Sequence, residues 1–389
     1  MNYWKQLQRE ESRLFIILAT GSLITMTGGV VTPILPEVIT SLDFDPALAG
    51  NLVSIHALTI ALFSPILGFF ADKIGPLRVL VPSLLLYGVF GIMGGILSNF
   101  WLLLASRALI GATAGGIAAG SLGLLGKLYD QQQRTQIIAY ATATLTVTGI
   151  IFPLLGGAVG SIHWRYAFGL YVIAFPLALL TILTFPEVKE KTENKPTEIS
   201  SQLKQVLFTP AVWELLLLVA LTAAIMYSVV IYAPIYLQET LGLGTFENGI
   251  LLATRALAAA LISALGLKSV VKKLSLTGAI ALGFGLMALS LFTIPLLTEF
   301  PLLLLSAFGF GIGFGLVLPN LYSSLSHTSP SDVRSSILAI GIGTSFFGQF
   351  LSPVFLGPIL SVSGLTGVFN TASVAALAGG IFLLRRMPH

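Results

Sequence analysis

Three ionisable side chains stand inside long apolar stretches of this chain, where water is scarce: His56, Arg107 and Arg255. A histidine titrates near neutral pH and can exchange protons. An arginine stays charged and offers a planar fork of donors to an anion or a carbonyl. The carboxylates Glu37, Glu214 and Asp72 lie only at the ends of such stretches. A cavity lined by this set is neutral to positive, so it should favour neutral, zwitterionic or anionic amphipaths over permanent cations. Glu37 and His56 are then the default candidates for proton coupling. Tyr232 and Tyr236 share one helical face, and Phe346 and Phe350 another, with Gln349 beside them; such residues suit an amphipathic binding cavity. Cysteine is absent and the four histidines are far apart, which excludes thiol chemistry, Cys-ligated metals and a sequence-local histidine cluster. No clustered His, Asp or Ser groups point to a membrane-embedded enzyme, and no cofactor or nucleotide-binding loop is indicated.

The elements that must position these residues are set by composition. The 389 residues are 55% hydrophobic and only 9% charged, with a mean hydropathy of +0.94. A soluble domain carries roughly 25% charged residues, so the main solvent of this chain is lipid. A bilayer core of about 30 Å needs about 20 apolar residues per helix. Twelve stretches meet that need: 14–38, 47–71, 79–98, 101–126, 135–160, 166–185, 213–237, 248–267, 274–298, 301–325, 335–360 and 365–384. They are continuous rather than alternating, which favours helices over a β-barrel. The first reads as an uncleaved span, being longer than a signal peptide and lacking a convincing cleavage site.

The basic residues report topology, so the pI of about 9.2 does not indicate nucleic acid. With the N-terminus inside, seventeen of the twenty Lys and Arg fall on the cytoplasmic side, Arg165 falls outside, and Arg107 and Arg255 lie within spans. Asp43, Asp45, Glu239, Glu247 and Glu299 occupy the outer loops. This bias places both termini in the cytoplasm. The one hydrophilic stretch, 187–210, reads as a cytoplasmic linker with a short amphipathic helix near 198–208. It separates an N-terminal six-helix bundle, 1–186, from a C-terminal one, 211–389.

The halves repeat. Phe100, Ser106, Gly111 and Gly115 recur as Phe300, Ser306, Gly311 and Gly315. Arg134, Ile137, Ala139, Pro153 and Gly157 recur as Arg334, Ile337, Ala339, Pro353 and Gly357. His56 and Arg255 fall on equivalent positions. Six helices separate the copies, so the repeat is parallel. The expected machine is two bundles rocking about a site near the membrane midplane.

Gly68-Phe-Phe-Ala-Asp72-Lys73-Ile-Gly75-Pro-Leu-Arg78, after the second span, resembles the signature of the major facilitator superfamily. Gly68 allows close helix approach, Gly75 a tight turn, and Asp72 can meet a helix N-terminus or an Arg, forming a conformational latch with Lys73 and Arg78. The symmetric loop, Lys268 to Lys273, keeps the charge but lacks the acid. Arg107-x-x-x-Gly111 resembles the family's second motif, in which the Arg is implicated in proton coupling. Pro153-Leu-Leu-Gly156-Gly157 resembles part of a drug-antiporter motif; Thr148 and Phe152 stand at its two earlier glycine positions. There Pro153 kinks the helix and the glycines permit close packing, so leucine at Gly156 or Gly157 should damage transport more than leucine at the exposed Gly364. His163-Trp164-Arg165-Tyr166 reads as an interfacial anchor.

The resemblance implies an all-α, twelve-helix secondary transporter of a cell membrane, by analogy a bacterial inner membrane. It would act as a monomer by alternating access, most simply as a proton-coupled exporter of drug-like or amphipathic small molecules. The alternatives are a dedicated metabolite or siderophore exporter and a metabolite uptake symporter.

Overall fold

A computed structural model describes residues 2–129, 131–185, 198–330 and 333–386, and these are helical throughout with no strand among them. In chain order the helices are α1 (Asn2–Gly29), α2 (Leu35–Leu42), α3 (Pro46–Ile74), α4 (Pro76–Ile96), α5 (Phe100–Leu128), α6 (Gln131–Gly160), α7 (Trp164–Ala167), α8 (Ala174–Thr184), α9 (Glu198–Leu207), α10 (Pro210–Leu241), α11 (Thr245–Leu261), α12 (Leu267–Thr293), α13 (Phe300–Thr328) and α14 (Arg334–Arg386). Among the described residues ten helical runs are long and apolar enough to cross a bilayer. Two of these, Thr245–Leu296 and Arg334–Arg385, are 52 residues long. Each is interrupted by one non-helical residue, Ser275 and Gly364 respectively.

Helices are the only open solution here, because lipid cannot satisfy an unpaired backbone group. Their ends are capped accordingly. The Asn99 side chain accepts the N–H groups of Trp101 (2.9 Å) and Leu102 (3.2 Å) and starts α5. Glu247 accepts the Gly244 N–H at 3.1 Å ahead of α11, and Gly242, in the left-handed conformation, ends α10. His163 Nδ1 accepts the Arg165 N–H at 3.2 Å, while the Arg165 guanidinium lies 5.0 Å from the Trp164 ring and bonds Ser98. This is the anchor-like geometry expected at an interface. Phe15, Phe69, Trp101, Leu183 and Leu265 point outward, as lipid-facing side chains do.

Backbone contacts divide the chain into two compact units, Met1–Leu42 with Ile55–Glu193, and Asp43–Ser54 with Asn194–His389. In the second unit, Asp43–Ser54 packs closely on α14. A Cβ on Gly50 would lie 2.4 Å from Pro353 Cβ, and one on Gly357 would lie 2.9 Å from the Ala47 carbonyl oxygen. This outer part of α3 therefore belongs, by contact, with the second half of the sequence. Of the linker over 187–210, residues 187–197 lie outside the described residues; its helix is present as α9.

The repeat is visible in the turns. Gly75 has φ 103° and ψ 142°. Ser275, two hundred residues on, has φ 65° and ψ 169°. That region belongs essentially to glycine and costs other residues about 1–3 kcal/mol. The Ser275 Oγ partly compensates by accepting the Gly278 N–H at 3.2 Å, capping the helix that follows. Replacing Ser by Gly at a cap loses only a few tenths of a kcal/mol, so Ser275→Gly should stabilise the protein. Thermal unfolding in detergent is expected to shift upward by roughly 2 °C; a downward shift would show that the cap outweighs the strain. Gly364 sits in the same backbone region, φ 65° and ψ −170°. Space is open around Gly364, but its backbone conformation strains any residue with a side chain.

Candidate functional site

The first unit is built around a break in the first membrane-crossing run. Pro33 and Pro36 have no N–H, so the carbonyls of Gly29 and Thr32 cannot receive their helical hydrogen bonds. The chain leaves α1 after Gly29, tightens into a 3₁₀ turn over Thr32–Ile34 and restarts as α2. The exposed carbonyls then need other donors. Thr32 Oγ1 donates to the Gly28 oxygen at 2.8 Å. Arg107 and the Tyr171 hydroxyl both donate to the Thr27 oxygen, the latter at 3.1 Å, and Arg107 Nη1 donates to Tyr171 Oη at 3.1 Å. The Tyr87 hydroxyl donates to the Leu23 oxygen at 2.7 Å and lies 3.1 Å from Thr27 Oγ1.

Arg107 is only 1% exposed. It sits at the negative end of the α1 dipole, where a cation is stabilised, and its charge lies 5.9 Å from the Tyr171 ring centroid. It is therefore a brace for the broken helix, with Tyr87 and Tyr171 as its frame. Neither tyrosine's part was legible in the sequence. The available signal was the pair of prolines, which announces orphaned carbonyls that some donor must reach.

Helix α6 packs against the same break. A Cβ on Gly156 would lie 2.4 Å from the Val30 oxygen and 2.7 Å from its Cα. On the other side, a Cβ on Gly29 would meet Phe152 Cβ at 3.2 Å and Pro153 Cδ at 3.3 Å. Thr148 Oγ1 lies 2.9 Å from Thr25 Oγ1. Thr148 and Phe152, which replace glycines of the motif, thus hold the contact by a hydrogen bond and by packing. Gly157 is buried beside Gly156. Gly111 abuts α3, where a Cβ would lie 2.4 Å from the His56 oxygen. His56 is buried, and Glu37 is partly buried in α2 just beyond the break.

At the other end of α3, Asp72 lines a cavity of about 440 Å³ with Pro76, Gly123, Lys127 and Ile137. Asp72, Lys73 and Arg78 are exposed, and Gly75 makes the turn. At Gly68 a Cβ would meet only Ala119 Cβ, at 4.0 Å, an ordinary contact. The tight packing lies instead at Gly120, 2.7 Å from Leu80 Cβ, and at Gly123, 3.0 Å from Pro76 Cβ. Neither glycine was singled out by the sequence pattern.

In the second unit, α10 carries Tyr227, Tyr232 and Tyr236, all buried. The Tyr236 hydroxyl donates to the Leu297 oxygen at 3.0 Å and its ring meets Phe369 edge-on; it fastens a loop. The Tyr232 hydroxyl is buried with no hydrogen-bond partner. Phe346, Gln349 and Phe350 are half-buried on α14. A neighbour of theirs, Gly348, makes the closest approach, where a Cβ would lie 2.2 Å from the Ala220 oxygen. Arg255 lies on α11, where its carbonyl oxygen would be 2.2 Å from a Cβ on Gly311. Gly111 against His56 and Gly311 against Arg255 are thus the same helix crossing, once in each unit. Among the described residues no group of three or more His, Asp or Glu is placed to hold a metal ion.

These features define a polytopic helical protein whose first membrane-crossing run is broken and braced. The family model of the Major Facilitator Superfamily matches residues 17–353, and the chain belongs to that superfamily. It is a transporter rather than an enzyme, and a multi-pass protein of the cell membrane. The quinolone resistance protein NorA of Staphylococcus aureus (strain COL) is 24% identical over 389 residues, covering 97% of each chain. Multidrug resistance protein 1 of Bacillus subtilis (strain 168) is 31% identical over 189 residues, 48% of each chain. Among solved structures, a POT family transporter in complex with 5-aminolevulinic acid has a TM-score of 0.80 at 15% identity, covering 96% of this chain and 95% of that one. An inward-facing bacterial homologue of the human lysosomal transporter Spinster has a TM-score of 0.75 at 17% identity, covering 97% and 95%. At these identities the structures establish the fold alone.

Proposed function

We propose that this protein is a proton-coupled exporter of drug-like or amphipathic small molecules that works by alternating access as a monomer. Reading the breaks at Ser275 and Gly364 as turns between spans gives twelve spans in two six-helix repeats, with both termini cytoplasmic. The observation that carries the direction of transport is the likeness to NorA over 97% of both chains. The packing of Pro153 and Gly156 on the broken first helix supports it, because that is the place of the antiporter-like motif. Glu37 and His56 are assigned to proton exchange, since Arg107 is engaged as a brace. Gly68, Asp72, Lys73, Gly75 and Arg78 are assigned to the cytoplasmic latch. Tyr232, Phe346, Gln349 and Phe350 are assigned to the binding cavity.

Expression in a bacterium stripped of its own efflux pumps tests the direction. The protein should lower accumulation of an amphipathic fluorescent compound, and a protonophore should restore it; raised accumulation would favour the uptake alternative. Asp72→Asn should reduce transport about tenfold while leaving the protein folded in the membrane, the loss expected of one charge-assisted contact worth about 1.5–3 kcal/mol. Wild-type turnover by a well-expressed Asp72→Asn variant would remove the latch role.

A further inference from the structure

The two arginines inside the apolar runs differ in what they touch. Arg107 is bound by the Thr27 oxygen and by Tyr171. Arg255 has no such partners. Its Nε, like that of Arg107, is buried with no hydrogen-bond acceptor, and the neighbour that interacts with its charge is the phenol of Tyr227, on α10. Among the described residues no carboxylate pairs with it. An arginine at membrane depth is costly and is ordinarily compensated by an anion, a carbonyl or water. Arg107 shows how this fold compensates one when its role is structural. Arg255 is left with its fork unspent, in a low-dielectric setting where a bound anion gains most.

We propose that Arg255 is the recognition residue for an anionic group, a carboxylate or sulfonate, carried by an amphipathic substrate. The guanidinium fork matches the two oxygens of such a group in parallel hydrogen bonds, and the Tyr227 ring beside it offers a surface for the apolar part of the ligand. This rests on the export reading above and names the substrate class within it: anionic or zwitterionic amphipaths ahead of permanent cations.

The test uses two probes that share one ring system, 8-anilinonaphthalene-1-sulfonate and the uncharged N-phenyl-1-naphthylamine. Binding is measured by equilibrium dialysis on the full-length protein in nanodiscs, and transport in proteoliposomes with an imposed pH gradient. Arg255→Gln should weaken sulfonate binding about tenfold or more and leave the neutral probe within about twofold. Arg255→Lys, which keeps the charge and loses the fork, should fall between. Equal losses for both probes would show a structural role and overturn the proposal, as would no change for either. If Arg255→Gln does not fold, Arg255→Lys decides alone, by whether its loss is confined to the sulfonate. Chloride that displaces the sulfonate, with no sulfonate transport, would make the site one for inorganic anions and overturn the substrate class. A wild-type protein that moves neither probe would contradict the export reading, while the binding comparison still decides Arg255.

Discussion

Replacing Arg107 by alanine should cost both stability and transport. The variant would leave the Thr27 carbonyl, at the end of α1, without its charged donor, and the buried Tyr171 hydroxyl without the hydrogen bond it accepts. Each buried group left unsatisfied costs about 1–3 kcal/mol. The break in the helix would no longer be held against α5. Thermal unfolding should drop by several degrees, and gradient-driven transport should fall at least about tenfold. Arg107→Lys should rescue only part of the loss, because an ammonium on a flexible stem does not reach both oxygens as the planar fork does. Thermal scans in detergent and proteoliposome transport read the two effects separately. A stable Arg107→Ala variant with lost transport would return this residue to proton coupling and deny the brace.

The second large effect is at Gly156. A Cβ there would stand 2.4 Å from a backbone oxygen that cannot rotate away. Added side chains in a packed interior cost about 1–3 kcal/mol, and more where the neighbour is backbone. Gly156→Leu should push α6 from the broken first helix and abolish transport. Gly149 lies on the same helix with nothing within 4 Å of its Cβ position, so Gly149→Leu should transport within about twofold of wild type. Equal tolerance at both sites would show that the contact does not serve the transport cycle.

Much of this was legible in the sequence because lipid imposes strict rules. Apolar runs of bilayer length and the one-sided Lys and Arg gave the helical character, and the helix crossing marked by Gly111 and Gly311 was prefigured by their common offset. The glycine of α6 that meets the broken helix was also among those marked, since Gly156 belongs to the motif that Pro153 opens. What the sequence withheld depends on where a side chain ends. Arg107 reads as an isolated charge until the Thr27 carbonyl, in the last turn of α1, is seen beside it. Ser275 falls inside the apolar stretch 274–298, and its strained turn appears only as the counterpart of Gly75. Gly68 occupies the signature position, yet the tight contacts are made by Gly120 and Gly123, because helix packing is fixed by the neighbour's volume and not by the motif. Asp43–Ser54 belongs by sequence to the first half, but its contacts with Pro353 and Gly357 place it with the second.

The central claim is that a proton gradient drives an amphipathic molecule through this protein. It is tested most directly by reconstituting the purified chain into sealed proteoliposomes, imposing a pH gradient with no other energy source, and following both an amphipathic probe and internal pH. The account predicts probe movement up to many times the leak, with protons moving in the opposite direction, and loss of both in a Glu37→Gln, His56→Gln double variant. Probe movement that is indifferent to the gradient, or that carries protons in the same direction, would contradict it.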